Sequence, residues 1–170
     1  MSTRRTIVPP ALRGVYDSWH FAPAVVANGM IYCSGIIGTS PGGLTPDGLR
    51  TSVHSGAAGS MAAGLAGAEA TLSGGDAPLA ALEAVRDPEA QFATAFEALS
   101  AILAEAGASL ADIVELTTYH VDIARHIPTF MRVRDLYLSD PWPAWTAIGV
   151  SELIVPGGLM EIRAVALAGG

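Results

Sequence analysis

The chain has 170 residues, 51% hydrophobic and 15% charged, with a formal net charge of −7. That length suits one domain able to bury a core, and the composition is globular rather than disordered. Its only basic run is Arg4-Arg5, so it lacks the positive footprint that a phosphate backbone requires, and no nucleic-acid partner is expected.

The N-terminal stretch passes from Arg4-Arg5 to Pro9-Pro10 without the apolar core of a signal peptide. No segment approaches the roughly 18 uninterrupted apolar residues of a membrane span. Cys33 stands alone, which leaves no internal disulfide and no thiolate metal cluster. The expectation is a cytoplasmic protein with no membrane partner, no metal and no cofactor.

Residues 24–37 read as a hairpin, because Asn28-Gly29 is a strong turn pair flanked by β-branched and aromatic residues. A long Gly-, Pro- and Ala-rich stretch follows, within which Ala57 to Leu72 predicts a weak helix interrupted by Gly59, Gly64 and Gly67. Asp87-Pro88 then opens the clearest element. Asp87 suits an N-cap and Pro88 the first helical position, while Phe92, Phe96, Leu99, Ile102, Leu103 and Ala106 form one apolar stripe. Gly107 ends that helix, and Ser109 to Asp112 resembles a capping box on one short turn.

Val114 to Asp122 is rich in β-formers and predicts a strand. Pro128 is expected to open a second helix carrying Phe130, Val133, Arg134 and Tyr137 on one side, followed by a stiff link from Asp140 to Pro143. Trp145 to Val150 and Leu159 to Leu167 predict two more strands, joined through Pro156-Gly157-Gly158. The order β-β-(insert)-α-β-α-β-β, with helices on one face of a sheet, is an α+β pattern.

Several of these segments, in this order, resemble the Rid family (the YjgF/YER057c/UK114 group, also called the endoribonuclease L-PSP family). Asn28 to Gly35 is similar to the family's first hairpin, ending in Ser-Gly. Gln91 to Gly107 and the turn after it resemble its first helix, and Thr117-Thr118-Tyr119-His120-Val121-Asp122 its central strand. Pro143-Ala144-Trp145-Thr146 sits where members usually carry Pro-Ala-Arg-Ser/Thr, and Met160 to Ala166 resembles the closing strand. The resemblance implies a single domain over 1–170 with a chorismate-mutase-like fold, two main helices packed on one face of the sheet, and a homotrimer. An insertion falls within about 44–84, roughly 25–30 residues relative to a typical member, and such a segment could cover a cleft.

The resemblance also implies small-molecule sites at subunit boundaries, where enamines or imines such as 2-aminoacrylate are hydrolysed to a keto acid and ammonia without cofactor or metal. Glu161 matches the acidic residue near the attacking water, and Ser34 and Gly35 match the polar end of the hairpin. Trp145 stands at the arginine position, Phe21 at a tyrosine, Met131 at an asparagine and Ala147 at a cysteine. The expected site therefore has Glu161 as catalytic acid/base, with Ser34, Gly35, Trp145, Phe21 and Met131 as walls. Arg163 could bring back a cation from another direction. An indole offers no charge for a carboxylate, so the expected ligand is more apolar than 2-aminoacrylate.

Other readings stand beside these. Glu161 could be a strand carboxylate paired with Arg163 or with another subunit, Arg163 a surface or interface salt bridge, and Trp145 a space-filling aromatic. His120 shares a strand face with Thr118 and Asp122 and reads better as a structural or interface histidine than as an acid–base group. His20, His54 and His126 lack metal-ligand spacing, and Cys33 has no neighbouring base to activate it. A non-catalytic ligand-binding or scaffold protein of the same fold is the alternative to an enzyme.

Overall fold

The computed structural model describes residues 4–51 and 83–169. Its sheet contains β1 (Arg5–Ile7), β2 (Ala24–Ala27), β3 (Met30–Cys33), β4 (Ile36–Ile37), β5 (Ile113–Val121), β6 (Ala144–Val150) and β7 (Met160–Leu167). The strand order is β1-β2-β3-β7-β5-β6, with β4 also paired to β7. Helix α1 (Arg13–Trp19) precedes β2, α2 (Pro88–Glu105) precedes β5, and α3 (Ile123–Tyr137) joins β5 to its parallel neighbour β6. This is the α+β, chorismate-mutase-like architecture expected.

The predicted hairpin forms with Asn28 and Gly29 both at positive φ, as a tight turn joining antiparallel strands demands. Its second strand breaks at Ser34-Gly35. Met30 to Tyr32 pair with residues 165–167 of β7, and Ile36-Ile37 pair with Ile162 and Glu161. In α2, the Asp87 side chain accepts from the Ala90 N–H at 2.8 Å, and Gly107 takes the left-handed conformation after the helix end. The helix is covered on more than its apolar stripe, since Gln91, Thr94 and Glu97 are buried beside Phe92 and Phe96.

Two expectations need correction. The second main helix begins at Ile123, five residues before Pro128, which lies inside it. Asp122, at φ 49, turns the chain out of β5, and its carbonyl accepts from the N–H groups of Arg125 and His126, so the helix is under way before the proline. That turn also takes Asp122 out of the strand face it was expected to share with His120. The N-terminal β1 and α1 were not anticipated, although Pro9-Pro10 followed by Leu12, Val15 and Trp19 carries both a start signal and helical spacing. The predicted helix from Ala57 to Leu72, and most of the insertion, lie outside the described residues. The base of the insertion is pinned, with Thr39 bridging Ala84, the Ser40 N–H donating to Glu83 and the Val85 N–H donating to Gly38.

The strand register sorts the side chains. Leu116 opposite Ala164, Thr118 opposite Ile162 and His120 opposite Met160 are buried under the helices. The alternate residues, Thr117 opposite Arg163 and Tyr119 opposite Glu161, lie on the other face. Ile148 opposite Tyr119 and Ile37 opposite Glu161 extend that row to both sides.

Candidate active site

The site begins at the break between β3 and β4. A cavity of about 430 Å³ opens there, and its walls include Val15 and Trp19 of α1, Phe21, Ile36, Ile102 of α2 and Val155. Glu161 supplies its carboxylate. No hydrogen bond or ion pair reaches that carboxylate among the described residues, and burial raises the Glu161 pKa above the ordinary carboxylate value.

Gly35 explains how the carboxylate fits. A Cβ on Gly35 would lie 2.1 Å from Glu161 Oε1 and 2.5 Å from its Cδ, so only a residue without a side chain leaves room. Ser34 serves differently from the expected polar wall. Its N–H donates to the Pro23 carbonyl at 3.0 Å and its hydroxyl to the Ala22 carbonyl at 2.7 Å. It therefore ties down the segment that carries Phe21 into the cavity.

The remaining predicted site residues lie elsewhere in the subunit. Arg163 is on the same sheet face as Glu161 but stands 3.8 Å from Glu115, with both side chains about half exposed. The alternative pairing of Glu161 with Arg163 is not formed. Met131 is half-buried on α3 and lines neither cavity described here.

Trp145 lines a second, smaller cleft of about 260 Å³ with Leu116, Arg134, Leu138, Trp142 and Pro143. Its indole N–H donates to Thr118 Oγ1 at 2.9 Å, and its ring lies 5.7 Å from Phe130. The Arg134 guanidinium sits 4.8 Å from the Trp145 ring and 5.5 Å from that of Trp142. Sequence reasoning placed Arg134 only on a helix side. Its signal was the four-residue step from Phe130, which brings it to the same face as Phe130 and so toward the two tryptophans.

His120 is fully buried. Its Nε2 lies 2.8 Å from Thr118 Oγ1, its Nδ1 has no partner among the described residues, and burial, with a smaller contribution from His126, lowers its pKa to about 4. It is a neutral core group that steadies Thr118 beneath Trp145, as the structural reading held. Burial pushes the Cys33 thiol up to about 12 against a smaller opposing effect of Arg163, which leaves it a poor nucleophile. Among the described residues, no group of three or more His, Cys, Asp or Glu could hold a metal ion, and no helix is long and apolar enough to cross a membrane.

Comparison with known proteins gives one consistent result. The family described as Endoribonuclease L-PSP matches residues 56–168, more than half of the chain. The RutC family protein YjgH of Escherichia coli (strain K12) is 36% identical over 81 residues, 47% of this chain. That match spans 60% of the relative, less than two thirds of its length. Among solved structures, one titled Protein YJGH aligns with a TM-score of 0.65 at 24% identity over 98% of both chains. Rv2704 of Mycobacterium tuberculosis, titled a member of the YjgF/YER057c/UK114 family, aligns with a TM-score of 0.63 at 21% identity, covering 97% of this chain and 99% of that one. PA3499 of Pseudomonas aeruginosa, titled a protein of unknown function, reaches 0.66 at 22% identity over 99% and 94%. With the hairpin, central strand and closing strand in the expected order, the chain belongs to the Rid family, the group also described as endoribonuclease L-PSP.

Proposed function

We propose that this chain is a small-molecule enzyme that hydrolyses an enamine or imine with a larger apolar body than 2-aminoacrylate, and that Glu161 is its acid/base. The observation that carries this reading is a single carboxyl group, with no cation beside it, in a cavity whose other lining side chains are apolar or aromatic apart from Thr39. Burial raises the pKa of this carboxyl, which favours the protonated form that can donate to a substrate. Protonating the imine nitrogen leaves a carboxylate, which takes a proton from the water attacking the imine carbon. Glu161, protonated again by that water, passes the proton to the carbinolamine nitrogen and takes the hydroxyl proton as the C–N bond breaks, releasing ammonia and the carbonyl product. Family membership supports a role in processing or binding a small molecule. In the homotrimer that the reading assumes, a neighbouring subunit supplies the facing wall, for which Trp145 and Met131 are the candidates.

The test is ammonia release from freshly generated imines, comparing 2-aminoacrylate with a bulky apolar imine. Wild type should turn over the bulky imine in preference, and Glu161→Gln should lose about 100-fold or more, the usual effect of removing a general acid. Turnover should fall as pH rises through the elevated Glu161 pKa, because the protonated donor is lost. If neither imine reacts above background, the rival reading, a non-catalytic ligand-binding or scaffold protein, takes its place. That reading is favoured by the apolar walls, which offer no carboxylate-binding cation inside the Glu161 cavity.

A further inference from the structure

The smaller cleft shares no lining residue with the Glu161 cavity and has a different chemistry. Its walls are Leu116, Leu138, Pro143 and the two indoles, and its charge is Arg134. The Arg134 side chain is only 16% exposed, so its guanidinium has given up most of its water. In exchange it has two aromatic neighbours and one acceptor. Both Nε and Nη2 donate to the same Asp135 oxygen, at 2.9 and 2.7 Å, while Asp135 itself is half exposed at the rim.

A guanidinium carries five N–H donors in a planar fork. Asp135 takes two of them along one edge. The other three, two on Nη1 and one on Nη2, have no acceptor among the described residues, and the side chains lining the cleft offer none. Stacking against Trp145 fixes the plane of the fork, and the Trp145 N–H bond to Thr118 fixes the indole in turn. A rigid, poorly hydrated cation with one open edge, above an apolar floor, matches an anion that accepts in the plane and carries an apolar body.

We infer that this cleft binds a small carboxylate bearing an apolar or aromatic group, and that Arg134 is its specificity-determining residue. The carboxylate accepts from the open edge of Arg134, and the apolar part packs against Trp142, Pro143, Leu116 and Leu138. The inference rests on this cleft alone and does not depend on Glu161 being catalytic.

Phenylacetate and its uncharged analogue phenylacetamide are suitable probes, because they differ in charge at nearly constant shape. The chain has three tryptophans, Trp19, Trp142 and Trp145. Trp19 lines the Glu161 cavity and Trp142 belongs to the cleft alone, so their indole N–H signals in ¹⁵N-labelled full-length protein tell the two places apart in one titration, with Trp145 following the cleft beside Arg134. Phenylacetate should shift the Trp142 and Trp145 signals saturably and bind at least tenfold more tightly than the amide. Arg134→Gln should abolish that gap, and Arg134→Lys, which keeps the charge but loses the fork, should keep part of it. Equal binding of acid and amide, shifts confined to Trp19, no saturable shift, or a gap that survives Arg134→Gln would each overturn the inference. The wild-type comparison decides even if the variants fold poorly, and imine turnover is not used as a readout.

Discussion

Gly35 and Gly38 lie three residues apart in the same strand region, yet their constraints differ in kind. The Cβ of an alanine at 35 would strike the end of the Glu161 side chain, which can swing aside. At 38 it would lie 1.9 Å from the Gln91 carbonyl oxygen, part of the α2 backbone. Gly35→Ala should therefore cost little stability, within about 1 kcal/mol, while displacing the carboxyl and lowering imine turnover about 100-fold, as misplacing a reacting group by an ångström can do. Gly38→Ala should instead cost about 3 kcal/mol or more, because strand and helix must separate. Urea midpoints and kcat/KM for the two variants separate these outcomes. The sequence made Gly35 and Glu161 legible as motif positions, one ending the hairpin and one in the closing strand. It could not show that they touch, since the contact depends on β4 pairing with β7 across more than a hundred residues.

At the scale of the element, β5 is instructive because its buried face mixes polar and apolar groups. Leu116, Thr118 and His120 all point under the helices, and Thr118 joins His120 to the Trp145 indole. An unfolded histidine titrates near 6.5, whereas burial holds His120 near 4. Between these values the unfolded chain binds the extra proton, so the contribution of His120 is complete above pH 6.5 and is lost as pH falls toward 4. The loss should reach about 3 kcal/mol over that window. Urea unfolding at a series of pH values should show that slope, and His120→Gln should lack it whatever its absolute stability. Strand and helix identity could be read from local patterning here, and the start of α3 could not. Proline favours the first helical position, and that preference drew the boundary to Pro128. What starts the helix is the left-handed turn at Asp122, a conformation that aspartate enters more readily than most residues but too seldom to mark a boundary by itself.

Across the described residues, the helices cover one face of the sheet and leave the other bare. An antiparallel sheet facing water normally alternates polar outward residues with apolar inward ones. Here the outward row includes Tyr32, Ile148 and Leu167, exposed by 42%, 40% and 51%. Ile148, Tyr119, Glu161 and Ile37 lie in line across β6, β5, β7 and β4, so the apolar outward surface runs past the candidate carboxylate. A face of this kind suits burial against other subunits better than solvent. The expected state is a homotrimer of three times the 17.4 kDa chain mass. Ile148→Lys, which puts a charge in the middle of that row, should shift the light-scattering mass to one chain. It should also reduce imine turnover if the cleft is shared between subunits, while leaving the monomer folded because Ile148 is outside the core. A variant that stays trimeric with undiminished turnover would mean the bare face is not the subunit contact. A variant that becomes monomeric with full turnover would place the whole reaction within the Glu161 cavity of one chain, and the facing wall assigned to Trp145 and Met131 would have no part in it.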